Sequence, residues 1–268
     1  MNKLLTFIKS HTQYPVVSVI RLQGMVNSSK GVGNFSLESS RKKIDDAFKP
    51  DRLAEVLISV NSPGGSPVQS DLITSYIKLK ASKDKVPVTV FVEDMAASGG
   101  YWIACAGSKI FASKTSIVGS LGVIYGGLGF TELIKKVGIE RRLITAGENK
   151  ALMDPFSPLK ESDVEIVKKM LSESHQVFID HVKSNRGMNL QATDEELFNG
   201  AIWTGEAAVK LGLVDDIKNM DEYIQDKYGD KVKVKRVKSK YEELSELFGG
   251  KAEFSLNNIL NNQRNSFN

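Results

Sequence analysis

Short apolar runs separated by turn residues form a regular pattern in the N-terminal part of the chain. The runs 16–24 (VVSVIRLQG), 54–60 (AEVLISV) and 86–92 (VPVTVFV) are rich in β-branched residues, which is typical of buried strands. The segments 40–49 and 68–81 between them are predicted to be helices. Because strand and helix alternate, the pattern predicts an α/β fold with a largely parallel sheet.

The later part of the chain predicts one long helix, followed by a basic and then Asn-rich stretch that differs in composition from the rest. Apolar residues recur at spacings of three, four or seven along 160–186, as on one face of an amphipathic helix. We therefore predict an N-terminal arm over 1–15, one α/β domain over 16–217 and a C-terminal extension over 218–268. The extension is expected to hold a basic strand (KVKVKRVKSK, 231–240), a short helix and a frayed Asn-rich tail.

Composition narrows the function only slightly. The chain has 268 residues, of which 41% are hydrophobic, and a net charge of +4, so it can build one large core and favours no charged partner. We expect no nucleic acid partner, although the basic strand leaves binding to nucleic acid or anionic lipid as an alternative to a plain edge strand. Cys105 is the single cysteine, which excludes an internal disulfide and a cysteine-rich metal site. Neither a metal nor a cofactor is predicted.

A glycine turn, NSPGGSP (61–67), lies between the second predicted strand and a helix. Gly64 and Gly65 permit positive φ, so the turn can direct main-chain N–H groups towards a ligand at the helix start. Phosphate binding and an oxyanion hole are both compatible with this, as is a tight turn without a ligand. The sequence lacks the Lys-Ser/Thr ending of a nucleotide-binding P-loop.

Ser98 follows the third predicted strand and begins a predicted helix over 98–107, with Gly99 and Gly100 directly after it. A hydroxyl at a helix start lies in positive potential, which favours a nearby oxyanion. An N-cap serine is the ordinary structural alternative. Ala96 stands two residues before the serine, which excludes the G-x-S-x-G elbow of α/β-hydrolases.

A serine nucleophile needs a base. The histidines are His11, in the N-terminal arm, and His175 and His181, on the long predicted helix; a Ser-His-Asp triad stays open but has no support in their positions. Lys150 stands beside a short apolar group in TAGENKALMDPF. A lysine buried there would lose its charge near neutral pH, whereas an ordinary surface lysine would stay solvated.

Taken together, these segments resemble the S49 serine peptidases, namely signal peptide peptidase A (protease IV) and its short SohB-like relatives. The resemblance extends from about residue 16 to 240 and keeps the family's order of motifs. The matching segments are VNSPGG (60–65), AASGGYW (96–102), VGSLGV (118–123), TAGENKALMDPF (145–156) and FNGAIWTGEAAVKLGLVD (198–215).

The resemblance implies a Ser-Lys dyad. Ser98 would be the nucleophile, and Lys150 would be the general base that later protonates the leaving amine. Gly65 and Gly99 would donate the oxyanion-hole N–H groups, and Ser120 would orient the lysine.

The resemblance also implies a ClpP/crotonase-like spiral of β-β-α turns with outer helices, a homo-oligomeric ring or dome, and unfolded polypeptides or cleaved signal peptides as substrates. Many family members carry an N-terminal membrane anchor, and no run here approaches the roughly 18 apolar residues of a membrane span. We therefore expect a cytoplasmic location or peripheral contact with the inner membrane, and the basic, acid-poor start leaves organelle targeting open.

Two alternatives to a Ser-Lys peptidase stay open, and a third is set aside. A crotonase-like acyl-CoA enzyme shares the glycine turns but needs no Ser-Lys dyad, and a non-catalytic scaffold needs neither Ser98 nor Lys150. A ClpP-like triad would place its histidine near Val123, where the sequence has none, so we set it aside.

Overall fold

The computed structural model describes residues 14–29, 31 and 33–238. The predicted arm up to residue 13, the predicted short helix at 241–248 and the Asn-rich tail lie outside these residues. Within the described part, no helix is long and apolar enough to cross a bilayer.

The described residues form a mixed α/β structure. The strands are β1 (Val16–Gln23), β2 (Met25–Val26), β3 (Asn34–Phe35), β4 (Leu53–Ser62), β5 (Val88–Ala97), β6 (Lys109–Ala112), β7 (Ile117–Gly119), β8 (Ile202–Thr204), β9 (Asp216–Ile217) and β10 (Lys233–Arg236). The helices are α1 (Leu37–Ala47), α2 (Pro67–Asp84), α3 (Gly99–Ala104), α4 (Thr131–Lys136), α5 (Glu161–Arg186), α6 (Asp194–Leu197), α7 (Gly205–Lys210) and α8 (Met220–Tyr228).

The main sheet runs in the order β10-β1-β4-β5-β6-β9, and every pair along it is parallel. Strand β7 pairs in parallel with β5 and antiparallel with β8. The prediction of a largely parallel α/β sheet is therefore confirmed. The described part of the predicted C-terminal extension packs on this sheet, where β10 is the edge strand beside β1.

Apolar cores cover both faces of the sheet because successive strand residues point to opposite sides. Ile58 and Val90 belong to the larger core with residues of α2 and α3, whereas Leu57 and Phe91 belong to a smaller core with residues of α8. All four are buried. The sheet is thus the middle layer of the molecule, which explains the continuous apolar runs of the central strands.

The structure moves some predicted boundaries. Strand β5 continues beyond the predicted end at residue 92 to Ala97, so it leads directly into Ser98. The following helix ends at Ala104 rather than at residue 107. The long helix, predicted over 160–186, is observed at Glu161–Arg186 and is confirmed.

Residues 122–160, which we call the surface segment, leave the core after the buried Leu121. No residue of this segment is buried, and all residues from 141 to 150 are exposed. Apolar side chains are exposed here too: Ile124 is 93% and Ile144 is 99% accessible. The surface segment therefore contributes no buried side chain to the two cores.

The parallel strand order determines where a site forms. The C-terminal ends of β4, β5 and β7 meet at one edge of the sheet, and each leads into a turn that contains a predicted site residue. Gly65 follows β4, Ser98 follows β5 and Ser120 follows β7. Parallel sheets commonly bind ligands at this edge.

Candidate active site

Ser98 occupies a strained backbone conformation, with φ 51° and ψ −121°. Its N–H donates to the carbonyl of Gly119 at 2.8 Å, and its carbonyl accepts from the N–H groups of Tyr101 and Trp102 at 2.9 and 3.0 Å. Although Ser98 precedes α3, its side chain makes no capping hydrogen bond. The hydroxyl is therefore not used as an N-cap, and such strain often marks a functional residue.

The glycine turn after β4 approaches this serine closely. Gly65 has φ 139°, and a Cβ there would lie 2.2 Å from the carbonyl oxygen of Val26. A Cβ on Gly99 would lie 2.4 Å from Ser70 Oγ and 3.3 Å from the Gly65 nitrogen. Both positions therefore require glycine, and their main-chain groups lie side by side.

The amides of Gly65 and Gly99 have no hydrogen-bond partner within the described residues. Two unpaired N–H groups beside a serine hydroxyl are what an oxyanion hole requires. The geometry thus favours the oxyanion interpretation of the glycine turn over a turn without a ligand.

Ser120 is the second strained serine, with φ 53°, directly after Gly119 at φ 121°. Its N–H donates to the carbonyl of Ala201 at 2.6 Å, and its carbonyl accepts from Gly122 N at 2.9 Å. The segment FNGAIWTG (198–205) therefore supports the turn that holds Ser120, through β8 and the residues before it.

A cavity of about 560 Å³ contains four of the five predicted site residues. Ser98, Gly65, Gly99 and Ser120 all line it. Part of its wall is apolar: Met25, Trp102, Val123, Ile124 and Phe178 contribute. The cavity thus brings together the Ser98 hydroxyl, two main-chain amides and an apolar surface.

Lys150, the fifth predicted residue, lies elsewhere in this single chain. It is exposed, it does not line the cavity, and its N–H donates to Gly147 O at 3.2 Å within a turn of the surface segment. Of the two environments that the sequence left open for Lys150, the single chain shows the exposed one, although Ala151 and Leu152 are themselves half-buried. The assignment of Lys150 as the base therefore stays a prediction.

Two histidines that the sequence placed only on the long predicted helix lie in this region. His175 Nε2 lies 3.0 Å from the carbonyl oxygen of Leu121, and His181 Nε2 lies 3.1 Å from that of Trp102. Burial lowers the pKa of His181. Their spacing with Phe178, three residues from each, was the available signal that all three share a helix face.

No hydrogen bond joins either histidine to the Ser98 hydroxyl. Each ring instead donates its Nε2–H to a main-chain carbonyl. Cys105 is buried, and burial raises its pKa to about 12, so its thiol is a poor nucleophile. Ser98 is consequently the best-placed nucleophile of the cavity.

The chain is similar in sequence to known peptidases. Residues 80–235 match the family model of peptidase family S49. A putative protease of Methanocaldococcus jannaschii is 35% identical over 182 residues, which are 68% of this chain and 58% of that protein. The putative protease SohB of Buchnera aphidicola subsp. Baizongia pistaciae is 30% identical over 266 residues, which are 97% of this chain and 72% of that protein.

A protein of Brucella melitensis biotype 1, named Na(+)/H(+) antiporter NhaA, is 46% identical over 223 residues. These residues are 82% of this chain but only 30% of that protein. The chain thus spans less than two thirds of the length of both the Brucella and the Methanocaldococcus relatives.

Among solved structures, the chain is similar to a membrane-bound stomatin-specific protease, determined as a lysine-to-alanine mutant with a substrate peptide. The TM-score is 0.55 at 18% identity, over 86% of this chain and 95% of that chain. A serine-to-alanine mutant of that protease gives a TM-score of 0.53. At this identity the likeness concerns the fold.

Proposed function

The chain belongs to peptidase family S49, and from that premise we propose that it is a serine endopeptidase in which Ser98 attacks the peptide bond. One observation carries the proposal. The strained, uncapped Ser98 shares a cavity with the unpaired amides of Gly65 and Gly99.

In the proposed reaction, Ser98 Oγ bonds to the substrate carbonyl carbon while Lys150 accepts the hydroxyl proton. The carbonyl oxygen becomes an oxyanion that accepts hydrogen bonds from Gly65 and Gly99. Lys150 then gives the proton to the leaving amine as the C–N bond breaks. Water, deprotonated by the same lysine, hydrolyses the acyl ester and regenerates Ser98.

Because Lys150 is exposed in the single chain, this mechanism needs the surface segment to bring it to Ser98. We propose that Ser120 then accepts or donates a hydrogen bond that orients the amine. Enclosure by protein would lower the lysine's pKa by desolvation, which a free base at neutral pH requires.

We also propose self-association into a ring or dome, and a ClpP/crotonase-like spiral for the fold. The support for assembly is the surface segment itself, whose exposed apolar residues include Ile124 and Ile144. Unfolded polypeptides, including cleaved signal peptides, are the proposed substrates. The apolar cavity wall formed by Trp102 and Phe178 supports an apolar side chain beside the scissile bond.

Substitution of the dyad tests the function. Ser98→Ala should lower peptide cleavage by at least about a thousandfold and abolish labelling by a fluorophosphonate probe. Lys150→Arg should be as inactive as Lys150→Ala, since arginine cannot be deprotonated. The measurements are cleavage of casein and of a fluorogenic peptide, with the exposed Ser172→Ala as the control.

The outcomes separate the alternatives. Equal cleavage by wild type and Ser98→Ala would contradict the peptidase assignment. Binding of acyl-CoA without labelling of Ser98 would favour the crotonase-like enzyme, and the absence of any activity would favour the scaffold. Full activity of Lys150→Arg would overturn the dyad but leave Ser98 as nucleophile.

A further inference from the structure

Two histidines of α5 hold the turns that carry the two strained serines, yet the mechanism above does not use them. His175 Nε2 lies 3.0 Å from the Leu121 carbonyl oxygen, and His181 Nε2 lies 3.1 Å from the Trp102 carbonyl oxygen. Since a carbonyl oxygen only accepts, each imidazole donates its Nε2–H. Both bonds therefore run from one helix to main-chain atoms near the cavity.

His175 completes a series of bonds around Ser120. The Gly119 carbonyl accepts from Ser98 N at 2.8 Å, and Ser120 N donates to Ala201 O at 2.6 Å. The carbonyl of Leu121, the residue after Ser120, accepts from His175 Nε2. Three successive residues are thus tied to three different elements, which is how a positive φ on a serine persists.

His181 acts on the segment after Ser98. The Ser98 carbonyl accepts from Trp102 N at 3.0 Å, and the Trp102 carbonyl accepts from His181. The indole also packs against the imidazole, with ring centroids 4.5 Å apart, and against Phe178 at 5.0 Å. The first turn of α3 is therefore fixed to α5 by a hydrogen bond and by stacked rings.

We propose that His175 and His181 are positioning residues. They fix the positions of Ser98 and Ser120 relative to each other, because they tie the turns that contain these two serines to the single helix α5. The inference rests on the proposed function, because it concerns the geometry of that site. Loss of either bond lets a strained turn relax towards an ordinary conformation. The nucleophile then shifts, and a misplacement of about 1 Å costs up to a hundredfold in rate.

The test compares His175→Ala and His181→Ala with His175→Gln and His181→Gln. Glutamine carries a terminal N–H donor on a side chain of similar reach. With a fluorogenic peptide, the alanine variants should lower kcat about tenfold or more and change KM less than about twofold. The glutamine variants should recover most of the lost kcat, because they restore the donor.

Val167→Ala is the matched control on the same helix, since Val167 is buried and makes no recorded hydrogen bond to either serine turn. Urea unfolding measures the stability of every variant. A fall in kcat for His175→Ala beyond that of Val167→Ala at similar stability supports positioning. Should His181→Ala fail to fold, His175→Ala and its glutamine counterpart carry the test alone.

Two contrary results differ in meaning. Ser98-dependent cleavage that is as fast in the histidine-to-alanine variants as in Val167→Ala would overturn this inference and leave the peptidase function standing. No Ser98-dependent cleavage by wild type would overturn the proposed function, and the inference with it.

Discussion

Single residues around Ser98 show how closely the two site turns approach each other. A Cβ on Gly64 would lie 2.8 Å from Ser98 Cβ and 2.6 Å from the Gly99 nitrogen. Gly64 itself has φ 97°, which other residues rarely adopt. The absence of a side chain at this position is therefore what lets the glycine turn after β4 approach Ser98.

The lowered pKa of His181 predicts how the free energy of unfolding changes in acid. Burial lowers its pKa below 6.5, Lys78 lowers it further, and the Trp102 carbonyl and Asp71 oppose this. On acidification the unfolded chain takes up the proton first, so stability is lost as pH falls from about 6.5 towards the lowered pKa.

Urea unfolding at pH 7 and pH 5 measures this contribution. Wild type should lose more free energy of unfolding between these pH values than His181→Gln, which cannot titrate. Parallel losses in the two proteins would show that His181 does not couple folding to protons.

At the scale of elements, helix α8 packs against the face of the sheet that holds the smaller core, near the N-terminal ends of β4 and β5. The candidate site lies at the opposite, C-terminal ends of these strands. Glu55, 1% exposed, accepts hydrogen bonds from the Thr89 hydroxyl at 2.7 Å and from the hydroxyls of Tyr223 and Tyr228 at 3.0 and 2.7 Å. Lys227 Nζ lies 3.0 Å from Glu55 Oε2, the same oxygen that accepts from Tyr228. One buried carboxylate thus joins β4, β5 and α8.

Glu55→Leu should lower the free energy of unfolding by about 3 kcal/mol, because it leaves buried hydroxyls without their charged acceptor. Chemical denaturation measures the change. The exposed Glu165→Leu is the control and should change stability by no more than about 0.5 kcal/mol. A small effect of Glu55→Leu would mean that apolar packing alone holds α8.

The elements also show how far the sequence predicts this molecule. Strands β1, β4 and β5 were predictable because they are long and continuously apolar. The positions of Gly65, Ser98 and Gly99 in turns after such strands were also predictable, whereas their roles came from the family resemblance and stay predictions. Strands of two to four residues, such as β7 and β9, are too short to carry a period. The positive φ of Ser120 and the histidine contacts depend on tertiary packing, which residue spacing does not encode.

At the scale of the whole molecule, the surface segment is the part on which the proposed assembly rests. It carries the predicted base Lys150, and its apolar side chains include Ile144, which is 99% exposed in one copy. Burial of those residues between copies would stabilise an assembly and enclose the lysine.

Ile144→Lys should therefore shift the protein towards monomers and lower cleavage per chain. Sedimentation velocity and peptide cleavage, each over a range of concentrations, measure the two effects. Met188→Lys is the control, since Met188 is 100% exposed outside the surface segment. Unchanged sedimentation of Ile144→Lys would contradict assembly through this segment.

Since no residue between Leu121 and Asp163 is buried as a whole, most substitutions in this stretch should cost little folding energy. The strained serines, by contrast, belong to the rigid part of the chain. A library that randomises positions within 125–143 would leave Ser98, Ile144 and Lys150 unchanged. The described residues thus divide into a buried α/β core, which carries Ser98, and the exposed surface segment. Substitutions in the surface segment could therefore vary the substrate selectivity of the proposed peptidase while the core stays unchanged.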